Sequence, residues 1–182
     1  AVDRLIEASR GRALVLCTSK HRAELVYAHL RTGCAHPVLW QDDAGALQTF
    51  RSVTDSVLVG TGKLFTGIDI PGESLSLLII DRIPVSKKAL AEQMGRSSAQ
   101  ARWDWARTEL AQGAGRLIRS TEDWGVIAVL DPRAAVGNRD HEAVRRALPE
   151  GTWVQTFEEV EEFFRLGPDA MSAEVKTSPF RD

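Results

Sequence analysis

The sequence predicts an α/β fold in which a mostly parallel sheet carries helices on both faces. Short apolar runs alternate along the chain with longer segments of helical period. The runs are apolar throughout, which is typical of strands that are buried on both faces. Groups of chemical interest directly follow these runs, at the strand ends where ligands gather in parallel sheets. These groups are Thr18–Ser19, Thr61–Asp69 and Asp81–Pro84.

The elements follow one another in a regular order. The predicted strands are Ala13–Cys17, Pro37–Trp40, Ser56–Thr61, Leu75–Asp81, Val126–Asp131 and a short Thr152–Gln155. The predicted helices are a segment capped by Thr18 or Ser19 that runs to about Leu30, then Ala44–Val53, a polar region from about Lys87 to Ser120 broken around Gly95–Ser98, His141–Leu148 and Glu158–Leu166. Residues 167–182 are polar and are predicted to fray, so we expect the folded domain over residues 1–166.

Composition limits the classes of function. The chain has 182 residues, of which 43% are hydrophobic and 26% charged, and its formal net charge is −2. These values are typical of one soluble globular domain, and any nucleic-acid binding must rest on a local cationic face. No apolar stretch approaches the roughly 18–20 residues of a membrane span, so no membrane partner is expected. The chain begins at Ala1 without an initiator methionine, and we expect an excised domain.

The two cysteines predict a reduced, cytoplasmic protein. Cys17 and Cys34 form no Cys-x-x-Cys pattern, so neither a disulfide framework nor a metal site is predicted. His36 lies close to Cys34, but a second pair of ligands is missing from the pattern.

The segment Gln112–Arg119 is the strongest functional signal. On a helix Gln112, Arg116 and Arg119 fall at i, i+4 and i+7, so one amide and two guanidinium groups share a face. Gly113 and Gly115 each cost about 1 kcal/mol in a helix relative to alanine, and they suit a place where a ligand or another backbone comes close. Paired arginines at such a surface suit phosphoryl transfer, because arginine stabilises charge that builds up on the transferred phosphate.

A glycine-rich loop follows the third predicted strand. Gly60-Thr61-Gly62-Lys63 resembles the end of a phosphate-binding Walker A loop, but Val57 stands where that pattern needs glycine and Leu64 where it needs Ser or Thr. Further along, Gly67-Ile68-Asp69 sets a carboxylate in an apolar frame. Such an Asp suits a hydrogen bond from a sugar hydroxyl or a metal-bound water.

With these segments in place, the chain resembles the second motor domain of superfamily 2 helicases of the DinG/XPD-like group. Four segments carry the resemblance, which extends from about residue 10 to residue 166. They are Ala13–Ser19 (motif IV), Gly60–Gly72 (motif V), Leu78–Pro84 and Gln112–Arg133 (motif VI and its sequel). Two departures are the Phe65-Thr66 pair, where the family usually has Trp-Glu, and the short segment between Pro84 and Gln112.

The resemblance implies a RecA-like three-layer α/β/α sandwich and a role for each motif residue. Arg119 would be an arginine finger for the γ-phosphate of ATP, Arg116 a second phosphate or coupling contact, and Gln112 a positioning group for water or nucleotide. Gly67 and Asp69 would close the nucleotide site from this side. Thr18, Ser19 and Thr61 would hold phosphates of single-stranded DNA through hydroxyl and backbone N–H groups.

The resemblance also implies what lies outside this chain. The 182 residues contain no Walker A loop, no DEAH-like box and no four-cysteine iron–sulfur pattern. ATP and Mg²⁺ would therefore bind mainly on an N-terminal motor domain of the same polypeptide, with translocation 5′ to 3′, and the isolated chain would not hydrolyse ATP. Two alternatives are a catalytically silent RecA-like interaction module and a free-standing phosphate-binding enzyme, which would need a phosphate loop of its own.

The tryptophans have separate expected roles. Trp103 and Trp105 lie two positions apart and cannot share one helix face, so one should pack and the other stack on a base or lie against the partner domain. Core packing is expected for Trp40 and Trp153.

Overall fold

Parallel strands form the centre of the computed structural model, which describes residues 1–64, 75–84, 98–118 and 123–167. Within these residues five strands make one sheet in the order β2-β3-β1-β4-β5. The strands are β1 (Ala13–Cys17), β2 (Val38–Trp40), β3 (Val57–Thr61), β4 (Leu77–Ile80) and β5 (Val126–Val129). All four neighbouring pairs are parallel, which confirms the predicted sheet type.

The central strand β1 shows why the apolar runs are strands. All five residues of β1 are buried, because β3 and β4 flank it and helices cover both faces of the sheet. Ala13 pairs with Val57 on one side and with Leu77 on the other. A run without polar residues is what a strand in this position requires.

Helices cover the two faces of the sheet and complete a three-layer α/β/α sandwich. The helices are α1 (Val2–Ala8), α2 (Lys20–Gly33), α3 (Ala46–Ser52), α4 (Ser98–Leu117), α5 (His141–Arg145) and α6 (Phe157–Leu166). One face of the sheet packs Leu14 and Leu16 against Phe50 of α3 and Leu110 of α4. The other face packs Val15 with helices α1, α2 and α6. The predicted fold class is therefore confirmed.

Two local predictions differ from the structure. The predicted strand Thr152–Gln155 is wrong, because residues 151–155 form no strand and pair with none of the five strands that the structure describes. The backbone N–H groups of Gln155 and Thr156 instead donate to Glu159 Oε2, within a capping box that begins α6. Conversely, α1 is absent from the elements predicted above, although Val2, Leu5 and Ile6 have helical spacing.

The tryptophans lie as predicted. Trp103 packs against the core, whereas the side of α4 that carries Trp105 is open and that residue is 42% exposed. Trp40 packs on the α2 face of the sheet and Trp153 on the α4 face. Among the described helices, none is both long enough and apolar enough to cross a bilayer.

Candidate functional site

The carboxyl edge of the sheet brings the predicted hydroxyl residues together. Cys17 and Thr61 are register partners on the adjacent strands β1 and β3, and Thr18 follows Cys17 directly. Because neighbouring strands lie about 4.8 Å apart, Thr18 and Thr61 are close neighbours. Thr18 is exposed and Thr61 is half-buried. The grouping of these residues at one edge agrees with the expectation from the strand ends.

Ser19 has a defined local role at this edge. It is the N-cap of α2, and its hydroxyl accepts a hydrogen bond from the backbone N–H of Arg22 at 3.4 Å. Capping uses an oxygen lone pair and leaves the hydroxyl proton for another acceptor. Ser19 can therefore cap the helix and donate to a ligand at the same time.

Gln41, the first residue after β2, holds Thr61 from the outer side of the sheet. Its Oε1 accepts the backbone N–H of Thr61 at 2.7 Å and the Thr61 hydroxyl at 3.3 Å. The hydroxyl proton and the N–H of Thr61 thus have an acceptor inside the protein. What Thr61 offers to a ligand in this arrangement is the lone pairs of its hydroxyl oxygen.

Gly60 makes room for the Gln41 side chain. A Cβ atom at Gly60 would lie 2.4 Å from Gln41 Oε1 and 2.8 Å from Gln41 Cβ. Any larger residue at this position would displace the amide that holds Thr61. The glycine in the middle of a buried strand therefore has a packing reason that concerns the site.

Asp81, the first residue after β4, holds Thr18 from the opposite side. Its Oδ1 accepts the backbone N–H of Thr18 at 3.0 Å, and its Oδ2 accepts Nε–H of Arg22. The Asp81 side chain is 7% exposed and that of Arg22 is 44% exposed. Burial, with a smaller contribution from the charge of Asp81, raises the pKa of the neighbouring Cys17 thiol to about 12, so this thiol stays protonated and unreactive.

Asp131 ties the end of β5 to the segment that follows β4. Its Oδ2 accepts the backbone N–H of Ile83 at 3.0 Å, and its carboxylate receives three further hydrogen bonds from the backbone and side chain of Arg133. Burial raises the pKa of Asp131, but these bonds outweigh it and lower the pKa to about 2. Asp131 is therefore an ionised, fully bonded structural carboxylate.

The motif helix α4 presents a polar face away from the core. Gln112 and Gly115 are exposed and Arg116 is half-buried, while Leu110 and Leu117 are buried. A Cβ atom at Gly115 would meet nothing within 4 Å. The packing of the described residues therefore gives no reason for this glycine, and the surface there is open to close approach.

The end of α4 does not lie with the hydroxyl residues. A Cβ atom at Gly125, just before β5, would lie 2.8 Å from Leu117 Cδ1 and 2.5 Å from the carbonyl oxygen of Ser76, just before β4. The last turn of α4 with Arg116 is therefore at the amino edge of the sheet, roughly 15 Å, one strand length, from Thr18. A helix that links two parallel strands runs back against them, so the motif helix, which precedes β5, ends at the edge of the sheet opposite to the groups that follow the strands.

Three predicted site residues lie outside the described residues. They are Arg119, Gly67 and Asp69. Within the described ranges no group of three or more His, Cys, Asp or Glu side chains forms a metal-binding cluster.

Three side chains at the carboxyl edge have a role that the sequence did not predict. Gln41, Asp81 and Asp131 each follow a strand and each accepts a backbone N–H from a neighbouring strand end. The signal that points to them is their position as the first polar residue after an apolar run. Their partners were not predictable, because packing decides which strands lie side by side, and two of the four neighbouring pairs, β3-β1 and β1-β4, are not consecutive in the chain.

Comparisons with known proteins give a consistent result. The model of the helicase C-terminal domain family matches residues 2–151. The ATP-dependent helicase DinG of Mycobacterium tuberculosis is 37% identical over 161 residues, which cover 81% of this chain and 24% of that protein. The ATP-dependent DNA helicase YoaA of Haemophilus influenzae is 32% identical over 174 residues, which cover 88% of this chain and 27% of that protein. The chain thus spans about a quarter of the length of the curated relatives it matches.

Among solved structures, the C-terminal domain of the DEAD-box protein Dbp5 superposes with a TM-score of 0.58 at 18% identity, covering 92% of each chain. At this identity the likeness concerns the fold alone, which is the RecA-like α/β/α sandwich expected above.

Proposed function

The chain belongs to the family of helicase C-terminal domains, and from that premise we propose that it is the second motor domain of an ATP-dependent DNA helicase of the DinG type. The observation that carries the proposal is the open polar face of α4, where Gln112 and Arg116 stand beside the unpacked Gly115. This face suits a nucleotide bound by another domain, because the sequence of this chain has no phosphate loop of its own. The greater length of the relatives is consistent with such a domain in the same polypeptide.

In this proposal α4 completes an ATP site in the cleft between two motor domains. Arg119, which follows α4, acts as the arginine finger, and Arg116 provides a second contact to phosphate. Gln112 orients the nucleotide or the attacking water, and Gly67 with Asp69 closes the site. Mg²⁺ binds with ATP, mainly on the partner domain. The guanidinium groups stabilise the charge that develops on the γ-phosphate, which supports a rate gain of about 10³–10⁵.

Single-stranded DNA passes the carboxyl edge of the sheet. The exposed Thr18 hydroxyl and the Ser19 hydroxyl donate to backbone phosphates, and the Thr61 oxygen accepts a hydrogen bond from a water that bridges to a phosphate. The backbone N–H groups of Thr18 and Thr61 take no part, since Asp81 and Gln41 accept them. Such contacts do not depend on base sequence.

Separate surfaces for DNA and nucleotide suit a motor. Roughly one strand length lies between Thr18 and the end of α4. The rigid sheet with its buried core connects the two surfaces, so closure of the cleft on ATP moves the DNA contacts as one body. With the polarity of the group that the motifs resemble, repeated closure moves the protein 5′ to 3′ along one strand.

The test is the DNA-stimulated ATPase activity of the full-length polypeptide that contains this chain. In Arg119→Ala we expect turnover to fall by about 10³-fold or more while ATP binding is retained. The matched control is Arg107→Ala, which removes an exposed arginine from α4 itself and should leave turnover within about twofold.

Two results would contradict the proposal. Unchanged turnover in Arg119→Ala would show that Arg119 is not an arginine finger. A wild-type protein without DNA-stimulated turnover would favour a silent interaction module with the same fold. We also expect the isolated 182-residue chain to show no ATP hydrolysis. Turnover by the isolated chain that disappears in Arg119→Ala would show that it contains a complete ATP site.

A further inference from the structure

We infer that Arg22 binds a backbone phosphate of single-stranded DNA and that Asp81 is the positioning residue that holds Arg22 for this contact. The inference rests on the proposed function, because it places a further residue on the same DNA path. Arg22 is in the first turn of α2, three residues after Ser19, and was not among the site residues expected from the sequence. Its side chain is 44% exposed at the carboxyl edge of the sheet.

Hydrogen bonds hold both the backbone and the side chain of Arg22 to residues that follow the strands β1 and β4. Ser19 Oγ accepts the Arg22 backbone N–H, and Asp81 Oδ2 accepts the Arg22 Nε–H. Asp81 also accepts the backbone N–H of Thr18 at 3.0 Å, so one carboxylate sets the position of the arginine relative to the hydroxyl residues. The Asp81 side chain is 7% exposed, and a buried carboxylate with two bonded partners is a rigid support.

The geometry of guanidinium makes this support useful. When Nε–H bonds to Asp81, the outer edge formed by the two terminal nitrogens of Arg22 points away from the carboxylate. That edge matches two oxygens of a phosphate, whereas a lysine in this position would be a single flexible charge. Because the ion pair already restricts the side chain, less rotamer entropy is lost when a phosphate binds.

The surrounding charges favour a path past α2 rather than past β2. Lys20 precedes Arg22 in the same turn and lies 4.0 Å from Glu24 in a weak, exposed pair. After β2, in contrast, the chain continues into the exposed carboxylates Asp42 and Asp43. Repulsion from these two groups moves a phosphate chain toward the side of the sheet that carries Thr18 and Arg22.

A structural role alone is the competing explanation for the pair, since Arg22 also neutralises a buried carboxylate. The two explanations differ in the effect on DNA. A structural ion pair affects the free energy of unfolding and leaves the salt dependence of DNA binding unchanged. A phosphate contact contributes one released counterion, which changes the slope of log Kd against log salt by about 0.7 for a single strand.

The experiment measures the affinity of the full-length polypeptide for a fluorescent oligothymidine across a range of NaCl concentrations. For Arg22→Ala we expect about tenfold weaker binding, as for the loss of one charge-assisted hydrogen-bonded contact, and a salt slope smaller by about 0.7. Arg22→Lys should keep the slope but recover only part of the affinity. The matched control is Arg31→Ala, which removes an exposed arginine from the last turn of the same helix and should change neither value.

Asp81→Asn tests the positioning role by the sign of its effect. The substitution removes a negative charge, so net charge alone predicts tighter DNA binding. Loss of the support for Arg22 predicts weaker binding, by about threefold to tenfold, in a protein whose thermal unfolding shows that it is folded. Tighter or unchanged binding in Asp81→Asn would overturn the positioning role.

The remaining outcomes separate this inference from the proposed function. If the wild type binds DNA and Arg22→Ala binds equally well with the same slope, the inference is wrong and the helicase proposal stands. If Arg22→Ala weakens binding of ATP in the absence of DNA but not binding of DNA, the phosphate belongs to the nucleotide and the inference is wrong. If the wild type does not bind single-stranded DNA at all, both proposals fail.

Discussion

Replacement of Asp131 by asparagine should destabilise the domain by about 2 kcal/mol at neutral pH. Two considerations support this value. The lowered pKa of Asp131, about 2 in the folded chain, corresponds to roughly 2 kcal/mol of stability. The loss of one charged partner of a mostly buried pair costs about 3–5 kcal/mol when both groups are buried, and less here because the Arg133 side chain is 32% exposed.

Asparagine has nearly the same shape as aspartate but the wrong hydrogen-bonding groups for this place. The Asp131 carboxylate faces four donated hydrogen bonds, from the N–H of Ile83 and from the backbone and side chain of Arg133. The NH₂ group of asparagine would meet donors instead of giving them an acceptor. The effect should therefore come from charge and hydrogen bonding rather than from a cavity.

The pH dependence gives a sharper test. Because the folded-state pKa of Asp131 is lowered, its contribution is present above the pKa of the unfolded chain and is lost as the pH falls toward about 2. At pH 3 about 1 kcal/mol of it should already be lost. The difference between wild type and Asp131→Asn should therefore shrink between pH 7 and pH 3.

The assay is urea unfolding of the 182-residue chain, followed by circular dichroism at pH 7, 4 and 3. Asp55→Asn is the control, because the Asp55 side chain is 65% exposed and its loss should cost less than about 0.5 kcal/mol. A difference for Asp131→Asn below about 0.5 kcal/mol at pH 7, or one that stays constant down to pH 3, would refute the account.

Two further predictions concern the carboxyl edge and the thiols. Gly60→Ala should destabilise the chain by about 1–3 kcal/mol, since the new Cβ would lie 2.4 Å from Gln41 Oε1. Gly62→Ala is the control and should have little effect, because its Cβ meets nothing within 4 Å. Equal unfolding midpoints in urea for the two variants would contradict the packing described for Gly60. Iodoacetamide at pH 8 should modify Cys34 and spare the buried Cys17, whose pKa is about 12, as counted by intact-mass spectrometry. Two adducts on the folded protein would show that Cys17 is accessible.

Much of the fold could be predicted because its signals are local. A strand buried on both faces must be apolar throughout, and the run Ala13–Cys17 therefore matches β1 residue for residue. The strand predicted at Thr152–Gln155 failed, because strand formation needs a partner and two N–H groups at its end bond to Glu159 instead. Periodicity shows how a segment can be buried, but it does not show whether a neighbouring strand is there.

Part of the candidate site could be proposed from the sequence, because its signals are also local. Thr18, Ser19 and Thr61 are candidates because they follow or end apolar runs, and the shared face of Gln112 and Arg116 follows from the helix period. The placement of Arg116 at the opposite edge from Thr18 depends on how the sheet is assembled.

The sequence by itself determined the local structure, the motifs and through them the family of this chain, because each of these depends on residues within about a dozen positions of one another. Only the tertiary structure decided which side chains meet. In the order β2-β3-β1-β4-β5, two of the four neighbouring pairs, β3-β1 and β1-β4, join strands that are not consecutive in the chain. The bonds of Asp81 to Thr18 and Arg22 span about 60 residues, and those of Gln41 to Thr61 about 20. Such contacts exist because packing both faces of the sheet sets the strand order, and no local pattern records that order.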